Sequence, residues 1–243
     1  SLLLSLLLFF TLFLYRSSIS NSPKQQIEYS TIHIESMWGI HLIVMARVHL
    51  ARYISEVEGV HEATGLAGVM GNKGGCAVVL NIFGTTRLGF VTCHLAARMS
   101  RLRKRAKNFS EIIAGATSQI QTSDGLDMLH CCDHIFWTGD LNYRINCGRY
   151  GTLEEFENVV KKAQSGNVED LEWLISKDQL LNERKAGRVF AHFHEGEIDF
   201  PPTYRMIKGV YEYSNKRNQN PSYCDRILWR TAQPDDVELM EYR

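Results

Sequence analysis

Beyond a polar stretch at Ser17–Gln26, hydrophobic positions fall into two rhythms along the chain. The runs "GIHLIVMARV" (39–48), "CAVVLNIF" (76–83), "RLGFVTCHL" (87–95) and "HIFWTGDL" (134–141) are dense in β-branched and aromatic residues. Turn or helix signals separate them, so they are predicted strands. Gly84-Thr85-Thr86 is short enough to close a hairpin between the second and third runs, which makes part of the sheet antiparallel. Elsewhere the period lengthens to that of helices, at 101–121, Leu153–Lys162 and 168–182. Glu154 and Glu155 occupy the first turn of the second helix, where a carboxylate meets the positive end of the helix dipole. Further strands are predicted around 188–193, 225–231 and 237–242. Helices interleaved with strands, with no repeat and no low-complexity linker, predict one α/β domain.

Composition narrows the functions this pattern can carry. A chain of 243 residues, 44% hydrophobic and 22% charged, has enough apolar surface for a buried core and does not read as disordered. Its formal net charge is zero, so nucleic acid is not an expected partner and any anion site must be local. Six basic residues between Arg98 and Lys107 (Arg98, Arg101, Arg103, Lys104, Arg105, Lys107) offer one such place, against the plainer reading of a solvated helix face. The six cysteines lack regular spacing and four lie in or beside apolar runs, which suits a reduced, cytoplasmic protein. "HCCDH" (130–134) looks metal-like, but adjacent side chains diverge and no CxxC partner exists elsewhere. Asn108-Phe109-Ser110 has the form of a glycosylation acceptor, relevant only to a secreted protein. Residues 1–15, "SLLLSLLLFFTLFLY", are continuously apolar, short for a membrane span and without a basic head. They are read as a candidate anchor or as sequence foreign to the fold, and residues 1–31 are placed outside it.

Polar chemistry gathers at predicted strand ends. "FWTGDLNYR" (136–144) passes from a buried run to Asp140, Asn142 and Arg144 within a few residues. Strand alternation points Asp140 and Asn142 the same way, although Asp and Asn also cap ordinary turns. "GVMGNKGG" (68–75) sets glycines around Asn72 and Lys73 just before a strand, which suits close approach of backbone amides to an anion, or simply a hairpin turn. His94 ends the strand in "FVTCHLAA". "PPTYR" (201–205) and "PSYCDRILW" (221–229) add Tyr204, Arg205, Asp225 and Arg226, with Lys208, Lys216 and Arg217 in the loop between. A histidine, two acids, an amide and dispersed cations, with no Ser or Cys nucleophile elbow, suit water attacking an anionic substrate beside a metal.

Two of these stretches, "FWTGDLNYR" and "PSYCDRILW", resemble the signature motifs of the inositol polyphosphate 5-phosphatases, and "GNKGG", "FVTCHLAA" and "FPPTYR" occur in that family's order. The resemblance spans about residues 32–242. It implies a DNase I-like four-layer α/β sandwich, two packed, mostly antiparallel or mixed β-sheets flanked by helices, with the catalytic domain over 32–243. Asp140 would then help activate the attacking water, Asn142 hold that water or the phosphate, and His94 contact phosphate oxygen. Asp225 would orient a second histidine. By the same resemblance Asn72, Lys73, Tyr204, Arg205, Lys216, Arg217 and Arg226 bind substrate, and Mg²⁺ is the cofactor. Tyr223 stands where the family usually has Trp.

The family's metal-binding glutamate and an early asparagine would precede "SMWGIHLIVMA", and nothing in residues 1–36 matches them; Glu28 and Glu35 lack the strand context. A Ser-Asp-His segment would follow "VELMEYR", where the sequence stops at Arg243. The metal ligand is therefore unassigned, and the chain reads as a catalytic domain short at both ends, with little phosphate release of its own. Two functions stay open: a metal-dependent 5-phosphatase of phosphoinositides or soluble inositol polyphosphates, peripheral to cytoplasmic membranes, and a non-catalytic phosphoinositide-binding or scaffold protein. A nuclease or sphingomyelinase of this fold is disfavoured by the cations of "TYRMIKGVYEYSNKR".

Overall fold

Alternate residues of one central strand feed two different apolar clusters. The computed structural model describes residues 28–65, 72–122, 125–148 and 151–242. In β4 (Gly74–Ile82), Cys76, Val78, Leu80 and Ile82 join one cluster while Ala77 and Val79 join another. A strand covered on both faces reads as a continuous apolar run, which is what "CAVVLNI" is. β4 pairs antiparallel with β3 (Ile54–Ala63) on one side and with β5 (Thr86–His94) on the other, the latter through the expected tight hairpin. β5 then runs parallel to β6 (His134–Asp140), and the sheet continues through β8 (Asp225–Thr231) to the two-residue β7 (His194–Glu195).

The parallel step from β5 to β6 requires a crossover, and α2 (Leu102–Gln119) with α3 (Met128–Cys131) supplies it. α2 lays Phe109, Ile112 and Ala116 against Val91, Cys93 and Trp137 of the sheet. The opposite face is covered by a separate hairpin, β1 (Tyr29–Met37) with β2 (Ile40–Arg47), whose Met37, Ile40 and Leu42 pack on Val78, Leu80 and Phe90. A single turn, α1 (Val48–Ala51), links that hairpin to β3. Beyond β6, α4 (Leu153–Gln164) and α5 (Val168–Ser176) build a third cluster around Val159, Leu174 and Tyr223. The result is α/β, with two packed sheets and flanking helices.

Several expectations change. The helix predicted over 168–182 is two: α5 stops at Ser176, and Asp178 caps α6 (Gln179–Lys185) by accepting from the Leu181 N–H. No strand forms at 188–193, where Phe190 and His192 take φ of 51° and 63°, incompatible with extended chain. Val189, Phe190 and Phe193 instead fill the cluster around Trp137. Residues 237–242 form no strand either; Tyr242 instead packs beside Gly196 and its hydroxyl accepts from the Ile227 N–H at 3.4 Å. β1 and β3 went unpredicted, and β1 begins at Tyr29, ahead of the expected start at 32. Asn108 is buried and accepts from the Ala96 N–H, so its sequon is part of the core rather than a glycan acceptor. The apolar residues 1–15 lie outside the described residues, among which no helix is long and apolar enough to cross a membrane.

Candidate active site

Four strand ends meet in one row. Gly74 pairs with His94, His94 with Asp140, and Asp140 with Asp225, so the register alone carries chemistry-bearing residues from β4, β5, β6 and β8 to the same edge of the sheet. Gly139 makes this possible. Its φ is 121°, and a Cβ there would fall 2.1 Å from the Cys93 carbonyl oxygen, so only glycine lets β6 lie this close to β5.

Asp140 Oδ2 lies 3.2 Å from His94 Nε2, while Oδ1 accepts from the Asn142 N–H at 3.0 Å. The turn and the site are thus one structure, with the capping bond fixing the carboxylate that faces the cleft. Lys73, just ahead of β4, stands 2.6 Å from His94 Nε2 and 3.2 Å from Nδ1. One nitrogen cannot donate to Asp140 and accept from an ammonium at once. With Nε2 protonated toward Asp140, Lys73 is left to Nδ1. Burial depresses the Lys73 ammonium to about 8, with the Arg144 charge adding to it and Asp140 opposing. Burial of its carboxyl together with the Asp140 carboxylate pushes Asp225 up to about 6, against His94 and Arg144, although much of the residue's surface is open to solvent.

Asn142 is 2% exposed and in the left-handed region at φ 55°. Its side-chain amide donates to the Leu95 carbonyl at 3.0 Å, and its Oδ1 accepts from Arg144 Nη2. Both ends of that amide are engaged, so Asn142 holds Arg144 and the turn in place rather than presenting itself to substrate. Arg144 stacks on Tyr204 with its guanidinium carbon 4.4 Å from the ring centroid, and its buried Nη1 has no protein partner. Tyr204 is tied in turn by paired backbone bonds to Ser222.

His94, Asp140 and Asn142 open into a cleft of about 280 Å³ with Arg98, Arg144, Arg205, Lys216 and Arg217 around it. Among the described residues Asp140 is the only acid lining it, so a neutral chain has concentrated positive charge at the strand ends. The structure therefore brings together His94, Asp140, Asn142, Tyr204, Arg205, Lys216 and Arg217. Lys73 reaches the site through His94, and Asp225 through its pairing with Asp140. Asn72 is exposed ahead of β4, and residues 68–71 of its glycine run lie outside the described residues. Arg226 does not come to the cleft. It points to the other face of β8, 2% exposed, where it bonds Asp178 at 3.0 Å and Glu195 at 2.6 and 2.9 Å. The basic run divides as well: Arg98 faces the cleft, Arg105 is buried on the Ala96 and Arg98 carbonyls, and Lys104 and Lys107 pair with Glu111. Gln219 had no site role in the sequence reading, and Arg98 entered it only as one of the basic run offered as an anion site. Arg144 did carry a signal, its place inside "GDLNYR".

A family-wide sequence profile, Endonuclease/Exonuclease/phosphatase family 2, matches residues 12–243. The chain belongs to this family, in its inositol polyphosphate 5-phosphatase branch. It is 33% identical over 213 residues to the human phosphatidylinositol 3,4,5-trisphosphate 5-phosphatase 1 and 33% identical over 224 residues to zebrafish (Danio rerio) 5-phosphatase 2B; these alignments cover 84% and 89% of the chain. It spans only 17% of each of those relatives. Among solved structures, the synaptojanin 5-phosphatase domain, crystallised with inositol 1,4-bisphosphate and calcium, superposes with a TM-score of 0.72 at 31% identity, over 86% of this chain and 56% of that one. A Cimex nitrophorin also superposes, with a TM-score of 0.60 at 18% identity over 85% of this chain and 64% of that one, and shows the fold alone.

Among the described residues no group of three or more His, Cys, Asp or Glu side chains is placed to hold a metal. Mg²⁺ commonly takes only one or two protein carboxylates and completes its shell with water and substrate phosphate. Asp140 and Asp225, close enough for one to raise the other's pKa, would supply such a donor set.

Proposed function

We propose that this chain forms the substrate face of a Mg²⁺-dependent phosphomonoesterase that removes the 5-phosphate of phosphoinositides or soluble inositol polyphosphates. The observation that carries the reading is the cleft itself, where five cations and a fixed acid–histidine pair face the same small volume in a protein of zero net charge. When bound, the metal would neutralise charge on the scissile phosphate. Asp140 would hold the proton of the attacking water, kept in position by the Asn142 N–H and by His94. Arg144, locked by Asn142 and Tyr204, would bind phosphate oxygen, while Arg205, Lys216 and Arg217 clamp a neighbouring phosphate. Phosphoryl transfer demands little more of a protein than such positioning and charge stabilisation. The curated relatives' names favour lipids phosphorylated at positions 3, 4 and 5, and a lipid substrate places the protein at a cytoplasmic membrane surface.

The test pairs calorimetric binding of inositol 1,4,5-trisphosphate with phosphate release in Mg²⁺. Asp140→Asn is expected to bind within a few-fold of wild type and to release phosphate roughly 10² to 10⁴ times more slowly. Failure of the wild-type chain to bind the trisphosphate would remove the cleft from substrate recognition, and equal release by both proteins would remove Asp140 from the chemistry.

A further inference from the structure

The "HCCDH" segment is left over by the site, and the structure separates its members. His130 Nδ1 is 2.7 Å from Asp127, Asp133 accepts from the Arg87 N–H at 2.7 Å, and His134 Nδ1 is 2.9 Å from the Thr231 hydroxyl. That leaves the two sulfurs. Cys131 Sγ and Cys132 Sγ lie 3.9 Å apart where α3 ends, the first half-buried and the second 4% exposed and packed beside Gly89 of β5.

We propose that Cys131 and Cys132 form a redox-responsive vicinal dithiol, which hydrogen peroxide converts to a disulfide between the two neighbours. The Cys131 thiolate attacks one peroxide oxygen, the O–O bond breaks, and the hydroxide released takes a proton to become water, leaving Cys131 as a sulfenic acid. The Cys132 thiol then attacks that sulfur; the S–S bond forms as the S–O bond breaks, and the thiol proton leaves with the hydroxyl as a second water. Both sulfurs are oxidised and one peroxide is reduced. A small thiol reverses the change by exchange.

Reactivity concentrates on one sulfur. The hydrogen bond from Cys132 holds the Cys131 thiol down at about 7, against its partial burial and with the Arg87 charge assisting. More of it is therefore thiolate at neutral pH than of an ordinary cysteine. Burial moves the others the opposite way, Cys147 to about 11, Cys76 to about 12, and Cys93 and Cys224 higher still. The bond formed is a labile one. Adjacent Cα atoms sit about 3.8 Å apart, below the roughly 4.4–6.8 Å usual for bridged cysteines, so the ring is strained and easily reduced. Closing the sulfurs to about 2.05 Å also draws Cys132 from its packed place beside β5, so the oxidised protein is expected to melt several degrees lower.

The experiment treats the 243-residue chain with a modest excess of hydrogen peroxide, blocks free thiols with N-ethylmaleimide, and maps peptides by mass. The peptide carrying Cys131 and Cys132 is expected to lose two hydrogens, escape alkylation and recover both thiols in dithiothreitol, at least about tenfold faster than Cys147 is oxidised. In Cys132→Ser, dimedone is expected to trap Cys131 as the sulfenic acid. Full alkylation of both cysteines at doses that already oxidise the exposed Met240, or a dimedone-trapped Cys131 persisting in the wild type, would overturn the proposal. No phosphatase readout enters, so the outcome is independent of the function proposed above.

Discussion

Arg226 separates a structural cation from a substrate-binding one. Arg226, Asp178 and Glu195 are all nearly inaccessible, with side chains 1%, 0% and 5% exposed. Burial works against the guanidinium charge, but Asp178 and Glu195 more than offset it and raise its pKa. In Arg226→Met, Glu195 keeps Arg184 at 2.8 Å, whereas Asp178 retains the Leu181 N–H and loses its cation. Removing one partner of a buried pair and stranding the other costs about 3–5 kcal/mol. In a chain of this size that corresponds to a fall in Tm of roughly 6–20 °C. Adding Asp178→Asn keeps the cap on α6 while removing the stranded charge, so the double variant should regain a large part of the loss. Thermal melts by circular dichroism read the stability, and calorimetry with inositol 1,4,5-trisphosphate reads the site, where affinity measured below both melting temperatures should stay within about threefold. A melting temperature within about 2 °C of wild type, together with lost affinity, would refute the argument and return Arg226 to the substrate site.

Two further outcomes follow from the site. Gly139→Ala forces a Cβ to 2.1 Å from the Cys93 carbonyl oxygen at an unfavourable φ, so β5 and β6 must part; a loss of about 2–4 kcal/mol in urea unfolding is expected, and an unchanged midpoint would show that the strands adjust freely. Lys73 has a folded pKa near 8 against 10.5 for a free lysine, so between those values the unfolded chain binds more protons and stability rises with pH. Affinity for inositol phosphate should fall as Lys73 loses its proton above about pH 8 and change less in Lys73→Met; identical pH profiles would show that Lys73 does not sense the ligand.

The sequence made this fold legible where burial on one or two faces leaves a clean period. β4, β5, β6 and β8 were visible as apolar runs, and the hairpin between β4 and β5 as its three-residue turn. β1 and β3 escaped because each has one face at the edge of the apolar layer: "YSTIHIESM" and "ISEVEGVHEA" mix charge and histidine into their alternation. The strands expected at 188–193 and 237–242 had suitable residues, but Val189, Phe190 and Phe193 went to the cluster around Trp137 and Tyr242 packed beside Gly196, and pairing is a tertiary property. At the site, motif residues on strand ends could be placed because register carries them to one edge. Arg226 was misplaced for the same reason, since period two sends it to the face opposite Asp225. The glycan sequon failed because three residues cannot reveal that helix α2 turns Asn108 inward.

The row of strand ends also explains why the site is poised to bind rather than merely to exist. Asp225 is raised to about 6, so it keeps its proton to higher pH than a free carboxyl; Lys73 is lowered to about 8, so it gives up its proton at lower pH than a free lysine. Between those values both groups carry charge against their surroundings, and folding holds them there at some cost in stability. An added cation relieves the two carboxylates, and an added phosphate relieves Lys73 and the cations around the cleft. Bound together, they meet both demands at once. The fold alone imposes no such arrangement, since a nitrophorin superposes on the same frame at 18% identity. What would make this frame a phosphate site is the side chains on it, the five cations around the cleft and the carboxylates that strand register carries to one edge.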